Sequence, residues 1–446
     1  MSGQPTAATA AQQPPSPRTR RVVATAAAAT AAVEWYEYFV FGVAAALVFS
    51  TLFFPEFSPI AGVLASFATF AVGFLARPLG GVLGGHLGDR FGRKPVLVWS
   101  LAAMGVATAL IGALPTFATI GVGAPLLLVL LRLIQGVAVG MQWGGAALLA
   151  TEYSPEGKRG LYGSLVQMGV PIGLVTAYTV YYGTNFLTGS EAFVAWGWRV
   201  PFLLGGLVLL LAWLIHHYVA ETPDFQRAAA KDSGARSPLG DVLRSHKATV
   251  LLAGGSFMVN HATFYVLITG ILDYATRDLG LPYGNVLLVA LALSIFQLPL
   301  MPLAAGISDR IGRVRVYTAG ITGLFLWAVP LFLLVDTANI WVMAVGMFGC
   351  GLFLSIMYAP QAALFAELFD AEVRFTGASL GYQISSVLGG GFAPLIMVSL
   401  LSTTGSSLSV SAYLMVLATI ALGSVWALVR RRRRRDAEKP AAPSGT

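Results

Sequence analysis

"GGHLGDRFGRKPVLV" (Gly84–Val98) places Asp89, Arg90, Arg93 and Lys94 within six residues of one another, in a chain that is otherwise almost unbroken Ala, Val, Leu, Phe and Gly on both sides. The stretch has an echo. "GDRFGRKPVLV" (Gly88–Val98) returns 220 residues later as "SDRIGRVRVYT" (Ser308–Thr318). A second pair, "TEYSPEGKRGLYGSLVQ" (Thr151–Gln167) and "AELFDAEVRFTGASLGY" (Ala366–Tyr382), is offset by 215. It aligns Glu152 with Glu367 and Arg159 with Arg374. Two echoes with matching offsets predict a chain built as two similar halves.

The rest of the composition says where such a chain lives. Of its 446 residues 56% are hydrophobic and 11% charged, with mean hydropathy +0.74. A soluble domain carries about 25% charged residues. Apolar runs long enough to span a bilayer recur throughout. Twelve helical spans are expected, at about 22–53, 60–83, 95–114, 123–151, 162–183, 199–219, 248–275, 284–307, 315–335, 339–366, 375–401 and 408–429. The fold class that follows is all-α and polytopic, with twelve transmembrane helices in two six-helix halves.

Charge placement orients the chain. Of the 28 lysines and arginines, 24 fall in the two tails and in alternate loops on one side; the other four are Arg77, Arg132, Arg199 and Arg277. The positive-inside rule makes the basic side cytoplasmic, with both termini inside a cell (inner or plasma) membrane. The expected organisation is a disordered cytoplasmic tail (1–20), an N-terminal bundle (21–219), a cytoplasmic central loop (220–247), a C-terminal bundle (248–429) and a basic cytoplasmic tail (430–446). Arg430 to Arg435 read as a topology anchor that also meets anionic lipid. The +8 net charge is thereby spent on topology, and nucleic acid is not an expected partner. One cysteine, Cys350, excludes a disulfide framework, and no His-Glu-x-x-His or P-loop run gives a sign of a metal, of another cofactor or of ATP chemistry. A membrane enzyme would need a nucleophile with a base, which the spans do not offer. A sensor would need a signalling domain longer than the central loop. Repeats of this kind mark secondary carriers, whose two bundles rock around a site near mid-membrane.

The residues resemble the major facilitator superfamily. Gly85, Asp89, Arg90, Gly92 and Arg93 match its Gly-x-x-x-Asp-Arg-x-Gly-Arg loop signature, and Arg132, Gln135 and Gly136 match its Arg-x-x-Gln-Gly pattern. Within it, "EWYEYFVFG" (Glu34–Gly42), "RPLGG" (Arg77–Gly81), "WGGA" (Trp143–Ala146), "WGWRVPFLL" (Trp196–Leu204), "ETPDF" (Glu221–Phe225) and "RFTGASLGYQ" (Arg374–Gln383) are similar to the metabolite:proton symporters. The resemblance covers nearly the whole chain. It implies uptake of small organic acids or zwitterions, such as dicarboxylates, 2-oxoglutarate, shikimate, proline or betaine, with protons. Glu37 stands where that family usually has Asp, and Gln142 where it usually has Glu.

Charged residues inside spans each cost at least about 2.5–3.5 kcal/mol on insertion scales, so they need a partner or a cavity. Glu34, Glu37, Tyr38 and Phe41 share one face of the first helix, and Arg132, Gln135, Gly136 and Gln142 a broad face of the fourth. A carboxylate and a guanidinium so placed can neutralise each other until protonation frees the arginine for an anionic substrate. Glu34 or Glu37 is the expected proton site, with Glu37 favoured by the resemblance; the alternative is a salt bridge that only packs the bundle. Arg77 lies twelve residues before Asp89, about 18 Å up the helix. Arg77 and Arg132 are the expected carboxylate ligands, because the guanidinium fork binds both oxygens. Gln135 and Gln142 join them from the first half; Asn260, His261, Tyr265, Tyr358, Gln361 and Gln383 are the candidates from the second. Gating falls to Gly85, Asp89, Arg90, Gly92 and Arg93 and to their repeat, Asp309, Arg310 and Arg313. An aspartate there can accept hydrogen bonds from a helix N-terminus in the opposite half, or pair with the arginine four residues on, and hold the cytoplasmic side shut. The expected function is proton-coupled uptake of a small organic acid by a monomer. A zwitterionic osmolyte, or export by antiport, is the alternative.

Overall fold

The computed structural model describes residues 16–219, 221, 244, 246–369 and 374–438. Ten of its helices are long and apolar enough to cross a membrane. Two more, α1 (17–53) and α2 (Pro59–Phe91), complete a set of twelve among the described residues. The ten are α3 (Arg93–Ala113), α4 (Gly123–Glu152), α5 (Arg159–Thr188), α6 (Phe193–Tyr218), α7 (Lys247–Arg277), α8 (Tyr283–Ile311), α9 (Arg313–Val335), α10 (Ile340–Leu368), α11 (Arg374–Thr404) and α12 (Leu408–Glu438). No strand occurs among the described residues.

The ends of the helices depart from expectation for local reasons. Helix α1 starts at Pro17, inside the stretch expected to be a disordered tail; residues 1–15 lie outside the described residues. Ser16 caps it, its hydroxyl accepting from the Thr19 N–H at 3.1 Å, and proline suits the first turn because its missing N–H would have no partner there. At the other end, α12 runs through the arginine run to Glu438, because arginine is a good helix former and no glycine or proline intervenes before Pro440. Most of the central loop lies outside the described residues.

The charged stretch that opens the sequence is a hinge between helices. Gly92 ends α2 and precedes α3 with φ +109°, and Gly312 does the same between α8 and α9 with φ +103°. Only glycine enters that region without strain. A Cβ on Gly92 would also meet Glu221 Oε2 at 2.0 Å. Glu221 needs that space, since it accepts from the Arg93 and Lys94 N–H groups, at 3.1 Å each, and so caps α3.

Within the first half, α2 and α4 cross backbone to backbone. A Cβ on Gly136 would meet the Gly73 carbonyl oxygen at 2.3 Å, and one on Gly140 the Arg77 carbonyl oxygen at 2.2 Å. In a bilayer, where apolar surface gains little by leaving lipid, such close approach is a main source of helix association. Tyr36 donates to the Pro201 carbonyl on α6 at 2.7 Å, and Tyr181 on α5 donates to the Val40 carbonyl at 2.9 Å, tying α1 into the bundle. Between halves, α2 lies on the start of α11: Gly85 faces Thr376, Gly88 faces Phe375 and Gly81 faces the Gln383 side chain.

Gly140→Ala is expected to force α2 from α4 and cost about 1–3 kcal/mol. Gly306→Ala, at a helical site with open space around it, is expected to be neutral or mildly stabilising. Thermal midpoints of the two purified variants in detergent check the contrast.

Candidate functional site

Four helices bring a charged centre together. Glu37 on α1 accepts from Gln135 Nε2 on α4 at 2.7 Å. The same amide nitrogen donates to Thr108 Oγ1 on α3 at 2.9 Å, and Gln135 Oε1 accepts from Arg132 Nη1 at 3.1 Å. Gln135 therefore stands between the carboxylate and the guanidinium that were expected to meet directly. Glu37 Oε2 has no hydrogen-bond partner and is sealed from solvent. The Arg132 guanidinium lies 4.1 Å from the Phe41 ring centre, in cation–π range.

Arg77, on α2, is only 5% exposed, and among the described residues it makes no hydrogen bond or ion pair. Its guanidinium sits 4.3 Å from the Phe74 ring centre and 6.0 Å from that of Tyr38. Glu34 is 3% exposed, makes no hydrogen bond or ion pair among the described residues, and lies within electrostatic reach of Arg77. A buried cation and a buried anion, neither hydrogen-bonded nor ion-paired among the described residues, are thus neighbours well inside their helices. Tyr265 of α7 reaches this group from the other half, 5.8 Å from Tyr38 ring to ring.

The remaining candidates divide. Asn260 Nδ2 and His261 Nδ1 on α7 are buried without partners, and the His261 ring lies 5.0 Å from that of Tyr382. Tyr358 packs its ring on Phe257. Three glutamines are placed elsewhere. Gln142 turns to the Met104 sulfur on α3 at 3.3 Å. Gln361 accepts from Gln167 Nε2 at 2.6 Å and Gln383 donates to the Gly140 carbonyl at 3.3 Å, so both bridge the halves.

The residues expected to gate lie in a cluster of ionic and hydrogen-bonded contacts on the basic side, termed the latch. Asp309 at the end of α8 accepts from the Gly160 and Leu161 N–H groups in the first turn of α5, at 2.8 and 2.9 Å. That joins the second half to the first through a helix N-terminus, where a negative charge is favoured. Arg313 holds Asp309 at 3.1 Å and Glu367 at 2.8 Å. In the first half the repeat places Arg93 against Glu152 at 3.4 Å. The side chain of Asp89 lies outside the described residues. Arg90 and Arg310 are exposed and take no part in the interface contacts described.

The sequence reading passed over the centre of the latch. Glu152, with its side chain 2% exposed, also binds Arg374 of α11 at 3.2 Å, so one carboxylate holds a guanidinium from each half. The signal was present in the second echo, which aligns Glu152 with Glu367, but the echo does not say that Arg374 crosses to the other half. Glu221 and Thr108 were missed for the same reason: their partners are distant in sequence.

Comparison with known proteins agrees with this architecture. Residues 23–251 match the family described as sugar (and other) transporter, and residues 254–445 match the major facilitator superfamily. A shikimate transporter of Escherichia coli strain K12 is 41% identical over 392 residues, covering 86% of this chain and 89% of that protein. A proline/betaine transporter of Salmonella typhimurium is 32% identical, covering 88% of this chain and 80% of that one. Among solved structures, a proton:xylose symporter superposes with TM-score 0.74 over 93% of this chain and 96% of that one, at 17% identity.

Glu152→Gln would leave the buried Arg93 and the half-buried Arg374 without their shared anion. Removing one partner from a buried ion pair costs about 3–5 kcal/mol. The expected outcome is a carrier opened on its basic side, read as faster alkylation of a cysteine introduced at Ser379, with substrate affinity changed much less than turnover.

Proposed function

The chain belongs to the major facilitator superfamily and is a membrane transporter rather than an enzyme, and on that premise we propose that it takes up a small organic acid together with protons, by alternating access, across the inner or plasma membrane with both termini in the cytoplasm. The observation that carries this reading is Arg77, a buried guanidinium with no hydrogen-bond or ion-pair partner among the described residues, beside an uncommitted Glu34. An unmatched cation at mid-membrane is costly, and an incoming carboxylate matches it bidentately. Glu34 is an anion within electrostatic reach of it. Glu37, the carboxylate the resemblance favours, is the proton site: one oxygen is held by Gln135 and the other is sealed without a partner, so a proton there relieves a buried unpaired charge. Gln135 carries the consequence to Arg132, since its amide touches both. The shikimate transporter at 41% identity supports an acid as substrate.

A second reading has an observation of its own. Phe74, Tyr38 and Tyr265 set aromatic faces around the site, and such faces attract a quaternary ammonium group. With the proline/betaine transporter at 32% identity, this favours a zwitterion, its carboxylate on Arg77 and its cation among the rings. A thermal-shift panel of carboxylates, betaine and proline on the purified protein separates the two. Flux direction after a pH jump separates uptake by symport from export by antiport.

In proteoliposomes, uptake is expected to rise as the outside is made more acidic. Each pH unit of gradient supplies about 1.4 kcal/mol per proton, a limit of about tenfold accumulation. Glu37→Gln is expected to abolish gradient-driven accumulation while substrate exchange persists. Full accumulation in both Glu34→Gln and Glu37→Gln would overturn the coupling. Arg77→Ala is expected to weaken carboxylate binding about tenfold or more, with Arg77→Lys restoring it only partly, because lysine lacks the planar fork. Unchanged affinity in Arg77→Ala would remove the carboxylate assignment.

A further inference from the structure

Between the charged centre and the latch lies a layer that neither uses. Trp143 on α4 stacks on Tyr382 on α11 with ring centres 4.0 Å apart and planes at 10°. The contact crosses from the first half to the second. Trp143 is nine residues from Glu152 and eight from Gln135, so it lies about 13 Å from the latch along α4 and about 12 Å from the charged centre. Phe365 meets Trp143 edge-on at 5.8 Å, and Phe257 meets both Tyr382 and Phe365. The four rings are at most 2% exposed.

This layer is buried. Trp143 Nε1, Ser379 Oγ and Gln383 Oε1, all at the meeting of α4 and α11, are sealed from solvent and have no hydrogen-bond partner. Such a polar atom gains a partner if the helices separate, a difference of about 1–3 kcal/mol. The latch below is of a different character. Its carboxylates and guanidinium groups attract water, and although Arg93 and Glu152 at its centre are buried, Arg313 and Glu367 at its edge are each 19% exposed. Ionic contacts hold two bodies in register, but they make a poor barrier to water and protons. Apolar constrictions exclude water by dewetting.

We infer that the Trp143–Tyr382 stack is the permeability barrier on the basic side: the latch fixes the halves, and the aromatic layer seals the site above it and has to part before substrate can leave. The inference rests on the alternating-access reading above. Parting the rings also gives partners back to the indole N–H, the Ser379 hydroxyl and the Gln383 carbonyl. The exit path is therefore lined with polar atoms only once it is open.

The test is passive proton flux into proteoliposomes under an imposed pH gradient with no substrate present, read by an entrapped pH dye. Trp143→Ala and, from the other half, Tyr382→Leu are each expected to leak several-fold faster than wild type. Trp143→Phe keeps a ring in the stack and is expected to stay within about twofold of wild type. Size exclusion and thermal midpoint establish that each variant is folded; should one fail, the other carries the comparison. Alanine and leucine variants as tight as wild type would overturn the proposal, and so would Trp143→Phe leaking as fast as Trp143→Ala. The assay needs no substrate, so a wild-type protein that transports none of the acids tested would refute the proposed function and leave this comparison standing.

Discussion

A charged side chain inside a bilayer has to be matched, and Glu152 shows how this chain meets that requirement. Its carboxylate is almost wholly buried and is shared by Arg93 of one half and Arg374 of the other. Lipid offers little reason for two apolar bundles to associate. The halves are instead joined by groups that cannot be left alone. The same logic operates at Asp309, which completes the unfilled N–H groups at the start of α5. Contacts of this kind are strong when the geometry is right and costly when one partner is withdrawn, so they favour two discrete arrangements over a continuum.

Three layers follow along the interface, each with its own chemistry. The latch is ionic and sits at the hinge glycines Gly92 and Gly312. The ring layer above it is aromatic and buried. The centre holds Arg77, Arg132, Glu34 and Glu37 among aromatic faces. The glycines of α2 connect the layers mechanically: Gly73 and Gly80 lie on α4, while Gly81, Gly85 and Gly88 lie on α11. One helix thus touches its own half on one face and the opposite half on the other.

Much of this was legible in the sequence, and what was not has a common cause. The hydrophobic runs gave the spans, because span length is fixed by bilayer thickness. The paired charge motifs gave the two halves and pointed to Asp309 and Arg313, which the structure places against the start of α5 and against Glu367. Helix periodicity put Glu34 and Glu37 on one face. Periodicity could not say that Gln135 stands between Glu37 and Arg132, nor that Gln142 turns to Met104, because a face of a helix is broad and rotation about the helix axis is set by the neighbours. The boundaries moved where local capping overrode composition, as Ser16 and Pro17 do at the start of α1.

The sequence by itself determined what obeys a local or one-dimensional rule: the apolar composition, the number and order of spans, the duplication, the asymmetry of basic residues and the carboxylates and guanidinium groups stranded inside spans. The tertiary structure alone decided which of those groups meet. Glu152 and Arg374 are 222 residues apart, Trp143 and Tyr382 are 239 apart, and Glu37 and Gln135 are 98 apart. No periodicity links positions so distant. Their meeting depends on how two bundles dock, and in a membrane that docking is set by close packing at glycine and by the need to pair buried charge, both of which exist only once the helices are side by side.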